Sequence, residues 1–307
     1  MKKVLVATVK PFASEALSGI QRVLEDAGYD LHLLEKYESQ EDLVNAVKDV
    51  DAMIIRSDIA DKQVIEAAED LKIIVRAGAG YDNIDLPSAT QNGVVVMNTP
   101  GQNSNAVAEL AIGMMILMAR NSYDGKPGTE IKGKTLGLHA YGNVGKLVAG
   151  IASGFGMKVY AFDPFIDKSV MENDGVKVVD RVEDLYASCQ YVSIHIPANE
   201  KTIKSIDYRL MSLMPKGATL VNTARKEVIC EDSLMKMFKE RKDFRYVSDI
   251  APDCKEKIEN QSPGRFFFTP KKLGAQTAEA NINAGVAAAK QIVSFFERGD
   301  CTFQVNK

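Results

Sequence analysis

The stretch from Thr135 to Asp163 sets the tightest limit on what this chain can fold into. It runs Thr135-Leu-Gly-Leu-His139, then Ala140-Tyr-Gly142-Asn-Val-Gly145, a mostly apolar helical run, and Lys158-Val-Tyr-Ala-Phe-Asp163. This reads as a strand, a tight turn, a helix, and a second strand ending in an acid. In such a unit the first glycine makes the turn, the second lets backbone approach a pyrophosphate, and the third brings helix close to strand. The pyrophosphate then rests on free N–H groups at the positive end of the helix. Ala140 stands at the first glycine's place, which a Cβ tolerates if φ stays negative. Gly142 and Gly145 keep the other two, and Asn143 and Val144 between them complete the expected cofactor-binding turn. Asp163 falls about 20 residues on, where a carboxylate accepts from the ribose hydroxyls and repels a 2′-phosphate, so NAD is expected rather than NADP. Any parallel βα turn can carry glycines. The strand before, the helix after and the acid at the right distance separate this one from the rest. His139 and Tyr141 read as packing or rim residues.

The unit begins at Thr135, so the residues before it must build something else. Short apolar runs alternate with helix-like segments along the whole chain, as in parallel α/β proteins. Strands are expected at Lys3–Thr8, Asp30–Leu34, Ala52–Arg56, Lys72–Ala77 and Val94–Asn98. A second set is expected at Thr135–Ala140, Lys158–Asp163, Val176–Val179, Tyr191–Ile196, Ala218–Asn222, Tyr246–Ile250 and Phe266–Thr269. The segment Asn103–Arg120 reads as a long helix, apolar on most faces, buried between domains or between subunits. The Gly- and Pro-bearing stretch Asn121–Gly133 reads as a surface connection. The final helix, Ala278–Arg298, is expected to cross back to the first domain. The organisation that follows is a split domain, 1–98 plus 280–307, around a second domain, 99–279. The substrate site is expected in the cleft between them, at the carboxyl ends of both sheets.

The chain has 307 residues, 46% of them hydrophobic, and a net charge of −3. That length fits two domains, and the charge gives no reason to expect nucleic acid or an anionic membrane. No stretch has the 18 or so apolar residues of a bilayer span. Cys189, Cys230, Cys254 and Cys301 are scattered, without a CxxC pair or a histidine cluster. Reduced thiols in a cytoplasmic protein fit better than disulfides, and no metal is expected.

Six motifs at strand ends follow one another in order. They are Val75-Arg-Ala-Gly-Ala-Gly-Tyr-Asp-Asn-Ile-Asp85, Met97-Asn-Thr-Pro100, the Ala140–Gly145 turn, His195-x-Pro197, Leu220-Val-Asn-Thr-Ala-Arg225 and Thr269-Pro-Lys-Lys-Leu-Gly-Ala275. With them the chain resembles the D-isomer-specific 2-hydroxyacid dehydrogenases along nearly its whole length, and most of all their branch that oxidises 3-phospho-D-glycerate in serine biosynthesis. The resemblance implies an α/β protein of two doubly wound parallel-sheet domains, a flavodoxin-like substrate domain and a Rossmann NAD domain, working as a homodimer. It implies hydride transfer between NAD and C2 of a small anionic 2-hydroxy acid. It places Arg225 on the substrate carboxylate and carbonyl, where a planar guanidinium binds bidentately. It adds His195, Pro197, Thr223 and Asp249 to the cofactor contacts, Asp249 toward the nicotinamide amide. Arg56, Ser57, Gly78, Ala79 and Asn103 join Arg225 as expected substrate contacts, with Lys10 a further cation for a phosphate.

The family's catalytic histidine and its glutamate are missing. Counting back from Leu273-Gly-Ala275 puts Lys272 on the histidine position, with one residue more before it than relatives have. Ungapped matching puts Cys254 on the glutamate position, with Asp253 beside it. A lysine can exchange the hydroxyl proton if its pKa falls from about 10.4 toward the working pH. Burial in a closed cleft and the charge of Arg225 would lower it, while Asp253 would raise it. Lys272 is therefore expected as the proton carrier, with Asp253 as its orienting carboxylate. Two readings stand beside this one. The lysine pair can be a solvated loop on a catalytically silent NAD-binding module, or the substrate can be another D-2-hydroxy acid such as glycerate or hydroxypyruvate. The segment Asn121–Gly133 is also about a dozen residues shorter than in relatives and poorer in cations. Larger relatives carry a serine-sensing domain after the crossing helix, so feedback by that route is not expected.

Overall fold

The computed structural model describes all residues from Met1 to Lys307. It divides into two units: Met1–Asn103 with Gln276–Lys307, and Ser104–Ala275.

The first unit alternates strand and helix: β1 (Lys3–Thr8), α1 (Ser14–Asp26), β2 (Asp30–Glu35), α2 (Gln40–Ala46), β3 (Ala52–Ile55), α3 (Lys62–Ala67), β4 (Ile73–Arg76), α4 (Leu86–Gln91) and β5 (Val95–Asn98). The strands form one parallel sheet in the order β2-β1-β3-β4-β5. Side chains alternate across a strand, so Val4 and Val6 face one layer and Leu5 and Ala7 the other. The first layer is α1 with the returning final helix α12 (Ala278–Arg298), packed through Ile20, Leu24, Ala288 and Ile292. The second is α2, α3 and α4, through Leu43, Val64, Ile65 and Ala89. A parallel sheet covered on both faces needs apolar residues at successive positions, and β1 and β3 are buried almost throughout.

The second unit opens with α5 (Ser104–Ala119) and continues β6 (Thr135–His139), α6 (Asn143–Gly154), β7 (Lys158–Phe162), α7 (Lys168–Asn173), β8 (Lys177–Val178), α8 (Val182–Ser188), β9 (Tyr191–Ile194), α9 (Tyr208–Met211), β10 (Thr219–Asn222), α10 (Glu231–Glu240), β11 (Arg245–Ser248), α11 (Lys255–Gln261) and β12 (Phe266–Phe268). Its seven parallel strands run β12-β11-β10-β9-β6-β7-β8. The order reverses between β6 and β9, the kind of switch point where open α/β sheets take ligands. The apolar helix α5, expected between domains or subunits, lies against α6 and the strands β10 and β11, through residues such as Ala111, Met115 and Met118. Helices α8, α9 and α10 cover the opposite face. Both sheets are thus the doubly wound kind expected, with strand ends within two residues of those read from the sequence.

The open edge of β5 is closed by the chain's last residues. Val305 donates to the Val96 carbonyl at 2.9 Å, and the buried Asn306 side chain both accepts from Val96 N–H and donates to Val94 C=O, each at 2.8 Å. Asn306→Ala would leave a buried donor and a buried acceptor unpaired. The expected loss is about 1–3 kcal/mol of unfolding free energy in a urea titration.

Candidate functional site

The turn between β6 and α6 is built as the glycines predicted, with one departure. Gly142 is the N-cap of α6, and a Cβ placed on it would meet nothing within 4 Å. The backbone there faces open space, and the first N–H groups of a 12-residue helix have no partner inside the helix. Gly145 is needed for the opposite reason, because a Cβ on it would lie 2.4 Å from the Ala140 carbonyl oxygen. Ala140 itself has φ +84°, not the negative φ expected. The turn demands the left-handed region whatever residue occupies it, so this alanine carries strain that the usual glycine avoids. Ala140→Gly is therefore expected to stabilise the protein by about 1 kcal/mol, read as a higher urea midpoint at unchanged slope.

Asp163 sits one residue beyond β7 and steadies the same turn. Its carboxylate accepts from the N–H groups of Tyr141 and Phe165, each at 2.8 Å. Tyr141 is buried and donates its hydroxyl to Asp174 at 3.0 Å, and Lys146 on α6 pairs with that same carboxylate. Burial, reinforced by Asp174, pushes the Tyr141 phenol well above its ordinary range. Tyr141 is a packing residue, as read from the sequence.

Two histidines end the neighbouring strands β6 and β9. His139 lies edge-on to Tyr186 and Phe162, with Nδ1 3.3 Å from the Tyr186 hydroxyl. Its carbonyl accepts from the His195 N–H at 2.9 Å. Burial pulls His139 down to about 4 against the raising effect of Asp163. Burial, with His139 second, pulls His195 down to about 3. Both rings are neutral at pH 7, and Nε2 of His195 is buried with no hydrogen-bond partner. The buried hydroxyl of Thr223 is likewise unpartnered. These orphaned polar atoms, the open face of Gly142 and the free N–H groups of α6 fit a bound dinucleotide. The histidines also set a pH dependence. Their folded pKa values lie below the unfolded value near 6.5, so the unfolded chain binds more protons in between. Stability should be fully present above about pH 6.5 and fall as pH drops toward 4 and 3, by up to about 1.4 kcal/mol per pH unit for each ring. Urea titrations of wild type and His195→Asn across that window measure it, and the variant should show the shallower slope.

At the end of β10, Asn222 shapes the turn that presents Arg225. Its amide donates to the Arg225 carbonyl at 2.9 Å and its oxygen accepts from Ala224 N–H at 3.0 Å. The Arg225 guanidinium is half-buried and donates to the Ala224 carbonyl at 3.0 Å. Pro197 is exposed, its carbonyl accepting from the Thr202 hydroxyl at 2.5 Å. Asp253, expected beside Lys272, pairs with Lys226 at 2.6 Å and is 76% exposed. Its main chain and that of Cys254 are held by Glu231. Burial and the charge of Glu231 push the Cys254 thiol up to about 12, so it is no substitute for a carboxylate.

Lys271 and Lys272 are both exposed. The burial expected of Lys272 is therefore absent. Asp249, expected toward the nicotinamide amide, is 1% exposed, and its carboxylate accepts from the Leu273 and Gly274 N–H groups of that same loop.

In the first unit, Arg56 was expected to await a phosphate. Its guanidinium is instead held by the carbonyls of Lys10 (3.3 Å) and Pro11 (3.4 Å), by Asn281 Oδ1 (2.7 Å) and by the ring of Phe12. These contacts tie the guanidinium to its own unit through Nη1 and Nη2. Ser57 and Lys10 beside it are exposed. Gly78 has φ +155°, and a Cβ there would fall 1.6 Å from Nη1 of Arg76. Arg76, not singled out from the sequence, is held there by its Nε bond to the Arg56 carbonyl at 2.9 Å. Ala79 is half-buried and its carbonyl accepts from Asn98 at 2.6 Å, while Asn103 is the last residue of its segment of the unit. The Arg-x-Gly spacing at a strand end was the available signal for Arg76.

Residues 6–306 match the family described as D-isomer specific 2-hydroxyacid dehydrogenase, catalytic domain. The fold matches the NAD⁺-bound 3-phosphoglycerate dehydrogenase of Entamoeba histolytica with a TM-score of 0.87 and 48% identity, covering 100% of this chain and 99% of that one. The D-3-phosphoglycerate dehydrogenase of Methanocaldococcus jannaschii is 37% identical over 83% of this chain and 51% of its own length. A hydroxypyruvate reductase of Thermotoga maritima is 34% identical over 86% of this chain and 90% of its own. The chain thus spans about half the length of the D-3-phosphoglycerate dehydrogenases among these curated relatives.

Proposed function

The chain belongs to the D-isomer specific 2-hydroxyacid dehydrogenase family, and we propose that it oxidises 3-phospho-D-glycerate to 3-phosphohydroxypyruvate with NAD, the reaction that opens phosphorylated serine synthesis. The observation that carries this reading is the full-length likeness, at 48% identity, to a 3-phosphoglycerate dehydrogenase holding NAD⁺. On this reading the unit with the β6–α6 turn binds the cofactor and the unit with Arg76 and Gly78 binds substrate. The protein works as a cytoplasmic homodimer, a setting in keeping with four free cysteines.

Gly142, Asn143, Val144 and Gly145 would receive the pyrophosphate on backbone N–H groups. Asp163 would take the ribose hydroxyls on the lone pairs its two N–H partners leave open, and would repel a 2′-phosphate. His195 and Thr223 would offer their unpartnered atoms. The bound NAD supplies the hydride acceptor. Arg225 holds the substrate carboxylate through a planar fork, orienting C2 and drawing charge onto the carbonyl as it forms. Lys272, in its neutral form, takes the hydroxyl proton, and returns it when the ketone is reduced. With Arg56 donating to the Lys10 and Pro11 carbonyls and to Asn281, phosphate recognition falls to the exposed Lys10 and Ser57.

That commitment of Arg56 favours a second reading, a reductase for an unphosphorylated ketoacid such as hydroxypyruvate, and the Thermotoga maritima relative supports it. The two are separated by following NADH oxidation with phosphohydroxypyruvate, hydroxypyruvate and glyoxylate. The expected result is a preference for the phosphorylated acid, and a drop of about 10²–10⁴-fold in kcat for Lys272→Met. Preference for hydroxypyruvate moves the substrate to the second reading. Binding of NADH without turnover of any of the three makes the protein a silent binding module.

A further inference from the structure

We propose that Asp58 is the positioning residue for phosphate recognition in the first unit: its buried carboxylate fixes the spacing of Lys10 and Ser57, the two groups that would receive the phosphate. This rests on the reading of the substrate as a phosphorylated acid, and it adds to that reading a residue that acts through its neighbours.

Strands β1 and β3 pair in parallel as far as Ala7 and Ile55 and then part. Lys10 and Ser57 lie just past this fork, one on each branch, and both are exposed. Asp58 is 6% exposed and bridges the fork where the strand ladder stops. Its Oδ1 accepts from Val9 N–H at 2.7 Å and from the Tyr37 hydroxyl at 2.9 Å, and its Oδ2 accepts from Arg56 N–H at 3.3 Å. Tyr37 comes from the loop after β2, so one carboxylate joins the ends of three adjacent strands, β2, β1 and β3. Burial, reinforced by Asp58, pushes the Tyr37 phenol well above its ordinary range, which keeps it a donor.

The peptide plane carries this clamp to the two recognition groups. Val9 N–H lies in one plane with the Thr8 carbonyl and Val9 Cα, so holding it sets the direction in which the chain leaves for Lys10. The Thr8 hydroxyl donates to the Lys10 carbonyl at 2.6 Å and closes that turn from its other side. Ser57 is framed in the same way. The Arg56 carbonyl accepts from Arg76 Nε at 2.9 Å and from Asn83 Nδ2 at 3.2 Å, and the Asp58 carbonyl accepts from Asn83 Nδ2 at 2.6 Å. Loss of the Asp58 side chain would leave these main-chain bonds around Ser57 in place and free Val9, so that Lys10 drifts relative to Ser57. Bonds to a carboxylate are about twice as strong as neutral ones, which suits the one group that spans the fork.

Because Oδ1 takes both the Val9 and the Tyr37 bond, Asp58→Asn retains an acceptor for them and Asp58→Ala does not. The measurement is NADH oxidation with phosphohydroxypyruvate and with hydroxypyruvate. Asp58→Ala should raise KM for the phosphorylated acid about tenfold, with kcat and the KM for hydroxypyruvate changed less than about twofold. Asp58→Asn should bring that KM back to within about threefold of wild type. If Asp58→Ala folds poorly, Tyr37→Phe, which leaves the Val9 bond in place, should raise the same KM about threefold. An unchanged ratio of the two KM values in the variant that folds, or a rise shared equally by both acids, overturns the proposal. So does Asp58→Asn behaving like Asp58→Ala, because the effect would then belong to the charge that Asp58 places near the Arg56 guanidinium and not to position. A wild type without preference for the phosphorylated acid removes the substrate reading, and this inference with it. A wild-type preference that survives Asp58→Ala removes the inference alone.

Discussion

Two parallel sheets buried on both faces govern the rest of this molecule. A parallel strand spends its side chains on two apolar layers and its N–H and C=O groups on neighbouring strands, so nothing along its length is left for chemistry. Polar function is pushed to the carboxyl ends, where strands give way to turns and backbone groups come free. Gly78, Ala140, His139, His195, Asn222, Arg225, Asp249 and Lys272 all stand at or just past such an end. Their spacing follows from the sheet order, which sets β6 beside β9, β10 beside β11 and β11 beside β12. Residues distant in sequence become neighbours through strand pairing, as when β11 and β12 bring Asp249 to the loop of Leu273 and Gly274.

A second theme is carboxylates that shape backbone. Asp163 holds Tyr141 N–H, Asp58 holds Val9 N–H, Glu231 holds the N–H groups of Asp253 and Cys254, and Asp249 holds two more. Each spares a turn from leaving donors unpaired, which would cost a few kcal/mol where water cannot reach. Such an acid shapes backbone first, and only the lone pairs its N–H partners leave open remain for a ligand. Arg56 likewise donates to two carbonyls and to the Asn281 side chain of its own unit. A charged residue at a strand end is therefore weak evidence for substrate binding until its partners are known.

Much of this was legible in the residues. Continuous apolar runs such as Val4–Ala7 and Ala52–Ile55 can satisfy only a strand covered on both sides, so strand positions and the doubly wound class followed from pattern. Gly145 announced a close helix approach, and the structure supplies it in the Ala140 carbonyl. Other features could not be read that way. Alanine at 140 gives no sign of its φ, because the turn and not the residue imposes the left-handed conformation. The pairing of Asp253 with Lys226, the brace around Arg56 and the clamp around Asp249 depend on which donors folding brings within about 3 Å, and motif order carries no such distance.

From sequence alone, then, come two α/β sheets, a dinucleotide turn followed at the right interval by Asp163, and a strand-end arginine. These are properties of local pattern, because the periods of strands and helices and the demands of a βα turn act over a few residues. The tertiary structure decided which of the charged candidates are tied to neighbouring groups. It tied Arg56 and Asp249 into the scaffold, left Lys272 exposed, and put Nε2 of His195 and the Thr223 hydroxyl in buried positions without partners. That outcome is set by long-range packing, since a polar group becomes structural or functional according to what the rest of the chain places against it.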